Sequence, residues 1–296
     1  MKKIKQHVQE MKDYIYSILP DAIFYQIRYF RTHGRFCNFN NPKYFSEKIY
    51  HRMRYPGPIF STMADKVVAR DYIAENVGEQ YLVPAFFSCK TVSVNTFDQL
   101  PESFVMKANH SAGQVMVVID KNSEDLNELS KIANGWLKDD FTNTAREKHY
   151  GSIEPQIIFE KALIENGCSP DDYKVNVFNE SESSDCFIFI QHMRGRGVSI
   201  TQNLYLENWS PAPFNRQGEA KGEVSSTKPL FLDEMIAVSK KVSRGFGYVR
   251  VDFYMHDNRL YIGELTLTPA AGSYKFDPSS WDYELGMKFG WPEDES

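Results

Sequence analysis

The apolar positions of the first 78 residues recur every three to four positions, which is the spacing of amphipathic helices. The helices that this pattern predicts cover residues 4–19, 21–34, 42–53 and about 65–78. The third carries Phe45, Ile49 and Met53 on one side. Gly78 follows the last helix, where a left-handed glycine commonly forms the cap. We therefore expect a largely helical N-terminal region.

Beyond residue 80 the pattern changes to short runs rich in β-branched and aromatic residues, which are typical of strands. The predicted strands are residues 81–89, 103–108, 114–120, 155–164, 173–178, 186–192, 248–256 and 259–267. Two helical segments, 125–138 and 232–243, interrupt them, and Asp257 and Asn258 predict a tight hairpin turn between the last two strands. The chain is therefore expected to be α+β with antiparallel pairs. Residues 210–229, rich in Pro and Ser, are expected to form a loop over a site.

Length and composition limit the classes of protein that fit. The chain has 296 residues, of which 42% are hydrophobic and 25% charged. This is ordinary globular composition and excludes a disordered chain, a collagen and a coiled coil. The four cysteines form no zinc pattern, no apolar run approaches a membrane span, and the basic start lacks the apolar stretch of a signal peptide. We therefore expect a cytoplasmic protein of one large or two modest domains.

Charge is distributed unevenly along the chain. In total, 34 Lys and Arg stand against 39 Asp and Glu, a net charge of -5, which argues against nucleic acid as a partner. Residues 1–54 carry 11 basic and 4 acidic residues, a net +7, and the remainder carries 23 and 35, a net -12. The basic first helix could lie on the anionic inner face of a membrane. Alternatively its apolar face packs on the acidic body, and both interpretations stay open.

The last two predicted strands carry the first candidate site. Arg250 and Asp252 are two residues apart on one strand, as are Glu264 and Thr266 on the other, so each pair shares a face. Two acids on one sheet face need a counter-charge, which bound Mg2+ would supply. The alternative is a surface ladder of ion pairs in which Arg250 pairs with Glu264 and Asp252 is solvated. The hairpin by itself does not distinguish the two.

A second cluster suits a phosphate group. Lys107 ends a predicted strand and is followed by a short turn, Ser111-Ala112-Gly113, whose backbone N–H groups could bind phosphate oxygens beside the lysine. The P-loop pattern is absent. An ordinary hairpin with an exposed lysine explains the same residues, and taken alone the cluster favours that explanation.

Two acidic residues follow at positions that suit a nucleoside. Glu160 lies on the predicted strand 155–164 and could present its carboxylate and nearby backbone groups to an adenine edge. Asp172 could accept hydrogen bonds from ribose hydroxyls. Solvated charges at strand ends are the simpler explanation of both residues when they are taken alone.

The order of these clusters along the chain changes their interpretation. It resembles the ATP-grasp superfamily and, more closely, its TupA-like family of teichuronopeptide biosynthesis. The phrases that carry the resemblance are Asn41-Pro…Phe45-Ser-Glu-Lys48-Ile, Asp65-Lys66…Arg70-Asp-Tyr, Leu100-Pro…Phe104-Val-Met-Lys107-Ala-Asn-His110-Ser-Ala-Gly113, Asp172-Tyr-Lys174, and Arg250-Val-Asp252…Gly263-Glu264-Leu-Thr266. They extend over almost the whole chain.

The resemblance implies an ATP-grasp fold, in which two α+β subdomains enclose ATP, preceded by the largely helical N-terminal region. It divides the chain into this helical region (residues 1–80), a lid with flanking strands (81–164) and a C-terminal subdomain with the metal site (165–296). The residues to which it assigns contacts with ATP are Lys66, Lys107, Ser111, Ala112, Gly113, Glu160, Leu163, Asp172 and Lys174. Within this set Lys66, Lys107 and the turn would bind phosphates, Glu160 and the backbone at Leu163 adenine, and Asp172 ribose. Lys174 would lie near the nucleotide without an assigned role.

The resemblance also implies the residues of the reaction. Asp252, Glu264 and Thr266 would bind Mg2+, although many ATP-grasp enzymes carry Asn where this chain has Thr266. Arg250, which would steady the γ-phosphate, and Lys107 would be the catalytic residues. With ATP and Mg2+, a carboxylate would become an acylphosphate, from which an amine would displace phosphate to give an amide.

The implied substrates belong to the bacterial surface. The carboxylate would be a uronic acid or acidic group of a surface polysaccharide or its precursor, and the amine an amino acid or amino sugar. Arg194 and Arg196, in a glycine-rich loop, are candidates to anchor the anionic substrate, although a solvated basic loop explains them equally well. A phosphotransferase using the same site and a glycosyltransferase remain alternatives. The chain lacks the Asp-x-Asp motif that nucleotide-sugar enzymes often carry.

Overall fold

The computed structural model describes residues 18–165, 167–180, 186–195, 199–225 and 227–291. The predicted helix over residues 4–19 falls almost wholly outside these ranges, so its contact with a membrane or with the body stays a prediction. Of the helices within them, none is both long and apolar enough to traverse a bilayer.

Helices form the described part of the N-terminal region; three lie where the apolar spacing predicts them, and the helix Pro58–Ala64 was not predicted. The helices are α1 (Asp21–His33), α2 (Phe45–Arg54), α3 (Pro58–Ala64) and α4 (Ala69–Val77). Helix α2 begins where Glu47 accepts hydrogen bonds from the backbone N–H groups of Lys43 and Tyr44, at 2.8 and 3.1 Å. The helix predicted over residues 65–78 starts later, because Asp65 Oδ1 accepts from the backbone N–H of Val67 at 2.8 Å and the chain turns there.

Gly78 ends α4 in a conformation that differs from the prediction. Its φ of 108° and ψ of 152° lie outside the left-handed helical region expected of a cap. This positive φ favours glycine, and the Gly78 N–H still donates to the carbonyl oxygens of Ala74 and Ile73, so Gly78 caps α4 before a single 3-10 turn, Glu79–Tyr81. The strand predicted over residues 81–89 consequently begins only at Ala85.

A four-stranded antiparallel sheet forms the first half of the body. Its strands are β1 (Ala85–Cys89), β2 (Phe104–Ala108), β3 (Val115–Val118) and β4 (Ile157–Lys161), in the order β1-β4-β2-β3. Helix α5 (Leu126–Trp136) covers one face, where Leu129 and Ala133 share a core with Phe104 and Phe159. A short helix, α6 (Thr142–Ala145), follows. Because strand residues alternate, β2 presents Lys107 on the uncovered face.

A five-stranded antiparallel sheet forms the second half. Its strands are β5 (Asp172–Asn179), β6 (Cys186–Arg194), β7 (Thr201–Leu206), β9 (Tyr248–His256) and β10 (Arg259–Thr266), in the order β10-β9-β5-β6-β7. Strand β8 (Asn215–Arg216) lies within the predicted loop and pairs with β11 (Phe276–Asp277). Helix α7 (Leu232–Val242) packs on one face, against Val175, Val249, Val251 and Phe253. The opposite face carries the alternate residues of the same strands, which are polar at Lys174, Arg250 and Asp252 and apolar at Phe178, Phe189 and Tyr248.

The hairpin between β9 and β10 matches its prediction. Asp257 and Asn258 form the turn, and both adopt positive φ, at 49° and 58°. Such a turn has the twist that two right-handed antiparallel strands require.

A bulge at Gly263 sets the register of this hairpin. It shifts the pairing so that Glu264 lies opposite Asp252. A regular two-residue hairpin would instead place Glu264 opposite Val251, on the face that packs against α7. Glycine suits the bulge, because a Cβ there would lie 2.3 Å from the ring of Tyr254 and the ring would have to move.

The N-terminal helices pack on the C-terminal part of the chain. Phe24 and Tyr29 of α1 share one buried core with Phe178 and Tyr248 of the five-stranded sheet. Arg35 also forms an ion pair of 2.5 Å with Asp282 of α8 (Trp281–Lys288). In the described part of residues 1–54, some of the positive charge is therefore neutralised within the chain.

Arg52 joins α2 to the sheet from a buried position. It is 1% exposed, donates to the carbonyl oxygens of Tyr248 and Leu267 at 2.8 and 3.4 Å, and lies 4.5 Å from the ring centre of Phe289. We expect Arg52→Met to lower the free energy of unfolding by about 3 kcal/mol, because buried carbonyl groups lose their donor. Urea denaturation measures this, and a loss no larger than that of the exposed control Lys131→Met would contradict it.

Candidate active site

Polar residues of three strands meet on the face of the five-stranded sheet opposite α7. In the strand register, Arg250 and Asp252 of β9 lie opposite Thr266 and Glu264 of β10. Asp252, which is 2% exposed, accepts hydrogen bonds from Arg250 Nε at 2.6 Å and Nη2 at 2.8 Å, and from Nζ of Lys174 on β5. Arg250 Nη2 also donates to Thr266 Oγ1 at 3.0 Å. One guanidinium thus links the acid of β9 to the hydroxyl of β10.

Opposite charges keep Asp252 ionised in its buried position. Burial by itself would raise the pKa of this carboxyl, but Arg250 and Lys174 outweigh burial and lower the pKa below its usual value. Burial would likewise lower the pKa of Arg250, and Asp252 holds it well above its ordinary value. A surface ladder with a solvated Asp252 is therefore the wrong interpretation of this hairpin. Arg250 pairs with the acid of its own strand, not with Glu264.

The same edge offers oxygen ligands for a divalent cation. The Glu264 side chain is 30% exposed and lies 3.7 Å from Nζ of Lys66. Across the described ranges, no three His, Cys, Asp or Glu side chains converge on one point. A metal ion here would therefore have two carboxylates, Asp252 and Glu264, with the Thr266 hydroxyl, water or phosphate completing its shell. A small set of hard oxygen donors fits Mg2+.

Two lysines reach this region from other elements. Lys66, between α3 and α4, donates from Nζ to the carbonyl oxygen of Ser111 in the β2–β3 turn at 2.5 Å. Lys107 Nζ lies 2.6 Å from Glu160 Oε2, and the other oxygen of Glu160 accepts from Arg70 Nη1 at 3.1 Å. Glu160 is 5% exposed and held between two cations. It is therefore not a solvated charge at a strand end.

The turn between β2 and β3 is anchored at its base. Asn109, which is fully buried, donates to Asp65 Oδ1 at 2.9 Å and accepts from the backbone N–H of Gln156 at 2.7 Å. At the tip, Ala112 and Gly113 are exposed. Gly113 has a φ of 86°, a value that favours glycine. The turn thus presents its backbone at the surface on a fixed support.

A cavity of about 110 Å³ lies beside Lys107, lined by residues of both sheets. Its walls are mainly apolar, with Lys107, Glu160 and Lys161 as charged groups; the other lining residues include Val83, Val105, Val115, Val117, Leu163, Pro170 and Tyr254. Asp172, which is wholly buried, pairs in register with Tyr254. An apolar slot with charged groups suits a planar base joined to phosphates.

Arg194 lies apart from these residues. Strand β6 extends through Arg194. Because strand side chains alternate, Arg194 lies on the same face of the sheet as His192, which is the face opposite the site. The ring of His192 stacks on Tyr173 at 4.5 Å, in the core beneath α7. The Arg194 guanidinium donates to the carbonyl oxygen of Glu223. The structure therefore does not bring Arg194 to Asp252, and Arg196 lies outside the described residues.

A comparison with known protein families identifies the family to which this chain belongs. A family model described as TupA-like ATPgrasp matches residues 47–290. The chain belongs to this family. The family expected from the sequence motifs, and with it the ATP-grasp fold, are confirmed.

Solved structures similar to this TupA-like ATP-grasp protein are distant ligases and synthetases. One is N5-carboxyaminoimidazole ribonucleotide synthetase in complex with ADP, with 13% identity, a TM-score of 0.45 and coverage of 70% of this chain and 45% of that chain. Another is D-alanine–D-alanine ligase from Bacillus anthracis in complex with ATP, with 15% identity, a TM-score of 0.46 and coverage of 78% and 66%. The chain thus spans less than half of the first structure and about two thirds of the second. A search of the curated proteins gave no match.

Two residues at the site of this TupA-like ATP-grasp protein received no role from the sequence, although Arg70 stands in one of the family phrases. Arg70 holds Glu160 and also donates to the carbonyl oxygen of Val83 at 2.9 Å. Glu147 is 5% exposed and accepts a hydrogen bond from Thr268 Oγ1 at 2.5 Å. Burial raises the pKa of Glu147 to about 7. The Glu147–Thr268 contact spans 121 residues of chain, so no local pattern could reveal it.

Proposed function

We propose that this protein is an ATP- and Mg2+-dependent ligase that joins a carboxylate to an amine in the cytoplasm. The observation that carries the proposal is the pairing of Asp252 with Arg250 and Lys174 on the sheet face away from α7, directly opposite Glu264. Lys66 approaches the same edge, where its Nζ lies 3.7 Å from Glu264. Two acids with excess cations around them suit a metal-bound polyphosphate.

The residues present fit distinct roles in phosphoryl transfer. Asp252, Glu264 and Thr266 would hold Mg2+, which when bound neutralises phosphate charge during transfer. Lys66 and Lys107 would bind the ATP phosphates. Lys107 now contacts the Glu160 carboxylate, and Lys66 contacts the carbonyl oxygen of Ser111 and, at 3.7 Å, the Glu264 carboxylate, so phosphate oxygens could replace these contacts.

The β2–β3 turn and the cavity would bind the rest of ATP. Ser111, Ala112 and Gly113 would cover the phosphates, the cavity at Leu163 would receive adenine, and Asp172 would bind ribose. Arg250 would orient Asp252 and add positive charge at the γ-phosphate. Catalysis of this kind depends on positioning and charge neutralisation, without a nucleophilic side chain.

The proposed reaction has two balanced steps. A carboxylate oxygen attacks the γ-phosphorus, the bond to the β–γ bridging oxygen breaks, and ADP leaves with the bonding pair. The amine nitrogen then attacks the acylphosphate carbonyl carbon, the carbon–oxygen bond to phosphate breaks, and the nitrogen loses a proton. The products are an amide, ADP and inorganic phosphate.

For the substrates, we propose a uronic acid or acidic group of a bacterial surface polysaccharide or its precursor, joined to an amino acid or amino sugar. The family relationship supports this choice. The sheet face beyond Lys174 also carries three buried amides linked by hydrogen bonds: Asn176 donates to Gln191, and Gln191 to Gln202, at 3.4 and 3.2 Å. Amide groups suit the hydroxyls of a sugar.

A nucleotide panel tests the proposal. With Mg2+ present, ATP and ADP should raise the unfolding temperature by mass action, and nucleotide sugars should not. Release of ADP and phosphate should require both a carboxylate and an amine. A stable phosphorylated product would favour a phosphotransferase instead, and stabilisation by nucleotide sugars alone would favour a glycosyltransferase.

A further inference from the structure

Glu147 is a buried carboxylate at the edge of the proposed metal site. It lies between α6 and the 3-10 turn Lys148–Ser152, and it is 5% exposed. Its Oε1 accepts from the hydroxyl of Thr268, which is 3% exposed and follows strand β10. In the part of the chain that the structure describes, this hydroxyl is its hydrogen-bond partner and no cation forms an ion pair with it.

The surrounding charges leave this carboxylate uncompensated. Arg28 of α1 attracts it at longer range, but the Arg28 Nη1 donates to the carbonyl oxygen of Ala271 at 2.9 Å. Glu264 repels it. Tyr150 lies near both acids, and burial together with Glu147 and Glu264 raises the pKa of its hydroxyl well above the usual value. Glu147 therefore lies within electrostatic range of the proposed metal ligand Glu264.

A buried carboxylate without a cation destabilises the fold that contains it. Burial is the main reason why the pKa of Glu147 rises to about 7, and Glu264 adds to this rise. A glutamine would fill the same volume and could still accept the hydrogen bond from Thr268. The negative charge is therefore unnecessary for packing, and a ligand that brings a positive charge would account for it.

We propose that Glu147, held in place by Thr268, binds the ammonium group of the amine substrate. The inference rests on the proposed ligase function and assigns the amine side of the reaction to this position. The substrate would be a primary amine that arrives as a cation, such as an amino acid or amino sugar. Mg2+ suits the position less well, because Asp252 and Glu264 already face one another across two paired strands.

Glu147→Gln separates this role from a structural one. Isothermal titration calorimetry of the protein saturated with Mg2+ and ADP, at pH 7.5, would use D-glucosamine and L-alanine, each beside its N-acetylated form. We expect wild-type protein to bind at least one free amine and neither N-acetylated form. In Glu147→Gln the Kd for that amine should rise at least tenfold. Glu128→Gln, an exposed position on α5, makes the same charge change and should behave as wild type.

Each remaining outcome has a defined meaning. Equal amine affinity in Glu147→Gln and wild type, or no binding of a free amine to wild type, would overturn the ammonium subsite. A loss of Mg2+ and ADP binding in Glu147→Gln would also overturn it, since Glu147 would then serve the metal site. Failure of wild-type protein to bind ADP with Mg2+ would instead refute the proposed ligase function, so the two failures are distinguishable.

Discussion

Replacing Glu264 with glutamine is expected to lower ATP turnover by about 10³-fold while leaving the unfolding temperature unchanged. The side chain is 30% exposed, and its ion pair with Lys66 spans 3.7 Å. An ion pair that is this long and partly exposed to solvent contributes only about 0–1 kcal/mol to stability. The carboxylate lies opposite Asp252, so glutamine removes a proposed Mg2+ ligand without disturbing the core beneath α7.

Two measurements check this expectation. ADP release is followed with the carboxylate and amine that support wild-type turnover, and thermal denaturation is followed on the same preparations. Glu154→Gln is the matched control, because the Glu154 side chain is 66% exposed in a surface pair with Lys90. Turnover of Glu264→Gln within tenfold of wild type would refute the role of Glu264 as a metal ligand.

Local patterns were sufficient to predict most of the elements that form this site. Alternation placed Arg250 and Asp252 on one face, and the Asp257–Asn258 pair identified the turn, because both depend on residues adjacent in sequence. The pairing of Asp252 with Glu264 depends on the extra residue at Gly263. A glycine inside a strand is the available signal for such a bulge. The alternation of strand residues does not by itself reveal that this bulge turns the Glu264 side chain toward the site.

The predictions that failed depend on where an element ends. Gly78 caps α4 as expected, but its φ of 108° and ψ of 152° differ from the left-handed helical conformation that was predicted. Arg194 was expected in a loop, but β6 continues through it and alternation then places it on the face away from Lys174. One or two residues of strand length thus decide the side of a sheet on which a charge lies.

The contacts that complete the site join distant parts of the chain. Arg70 and Glu160 are 90 residues apart, and Lys66 and Ser111 are 45 residues apart. A single sequence does not reveal such contacts, because the helix or strand pattern around each residue says nothing about a partner so far along the chain. Only the ordered set of motifs, which identifies the family, relates these segments to one site before the structure is known.

Asp252→Asn is expected to remove activity as Glu264→Gln does, but with a large loss of stability. Asp252 is 2% exposed and neutralises both Arg250 and Lys174. Removing one partner of a buried ion pair costs about 3–5 kcal/mol, because the remaining charges stay buried without compensation. The unfolding temperature should fall by about 6 °C or more. Thermal denaturation of Asp252→Asn beside Glu264→Gln measures the difference between the two acids.

A double variant tests the cause of that loss. In Asp252→Asn/Lys174→Met, the ammonium left without its carboxylate is removed, so stability should recover by at least about 1 kcal/mol. Turnover should stay abolished, because the proposed metal ligand is still missing. If the double variant is no more stable than Asp252→Asn, the uncompensated charge of Lys174 is not the cause of the loss. If Asp252→Asn alone keeps wild-type stability, the buried cluster contributes nothing to the fold and Asp252 serves the reaction alone.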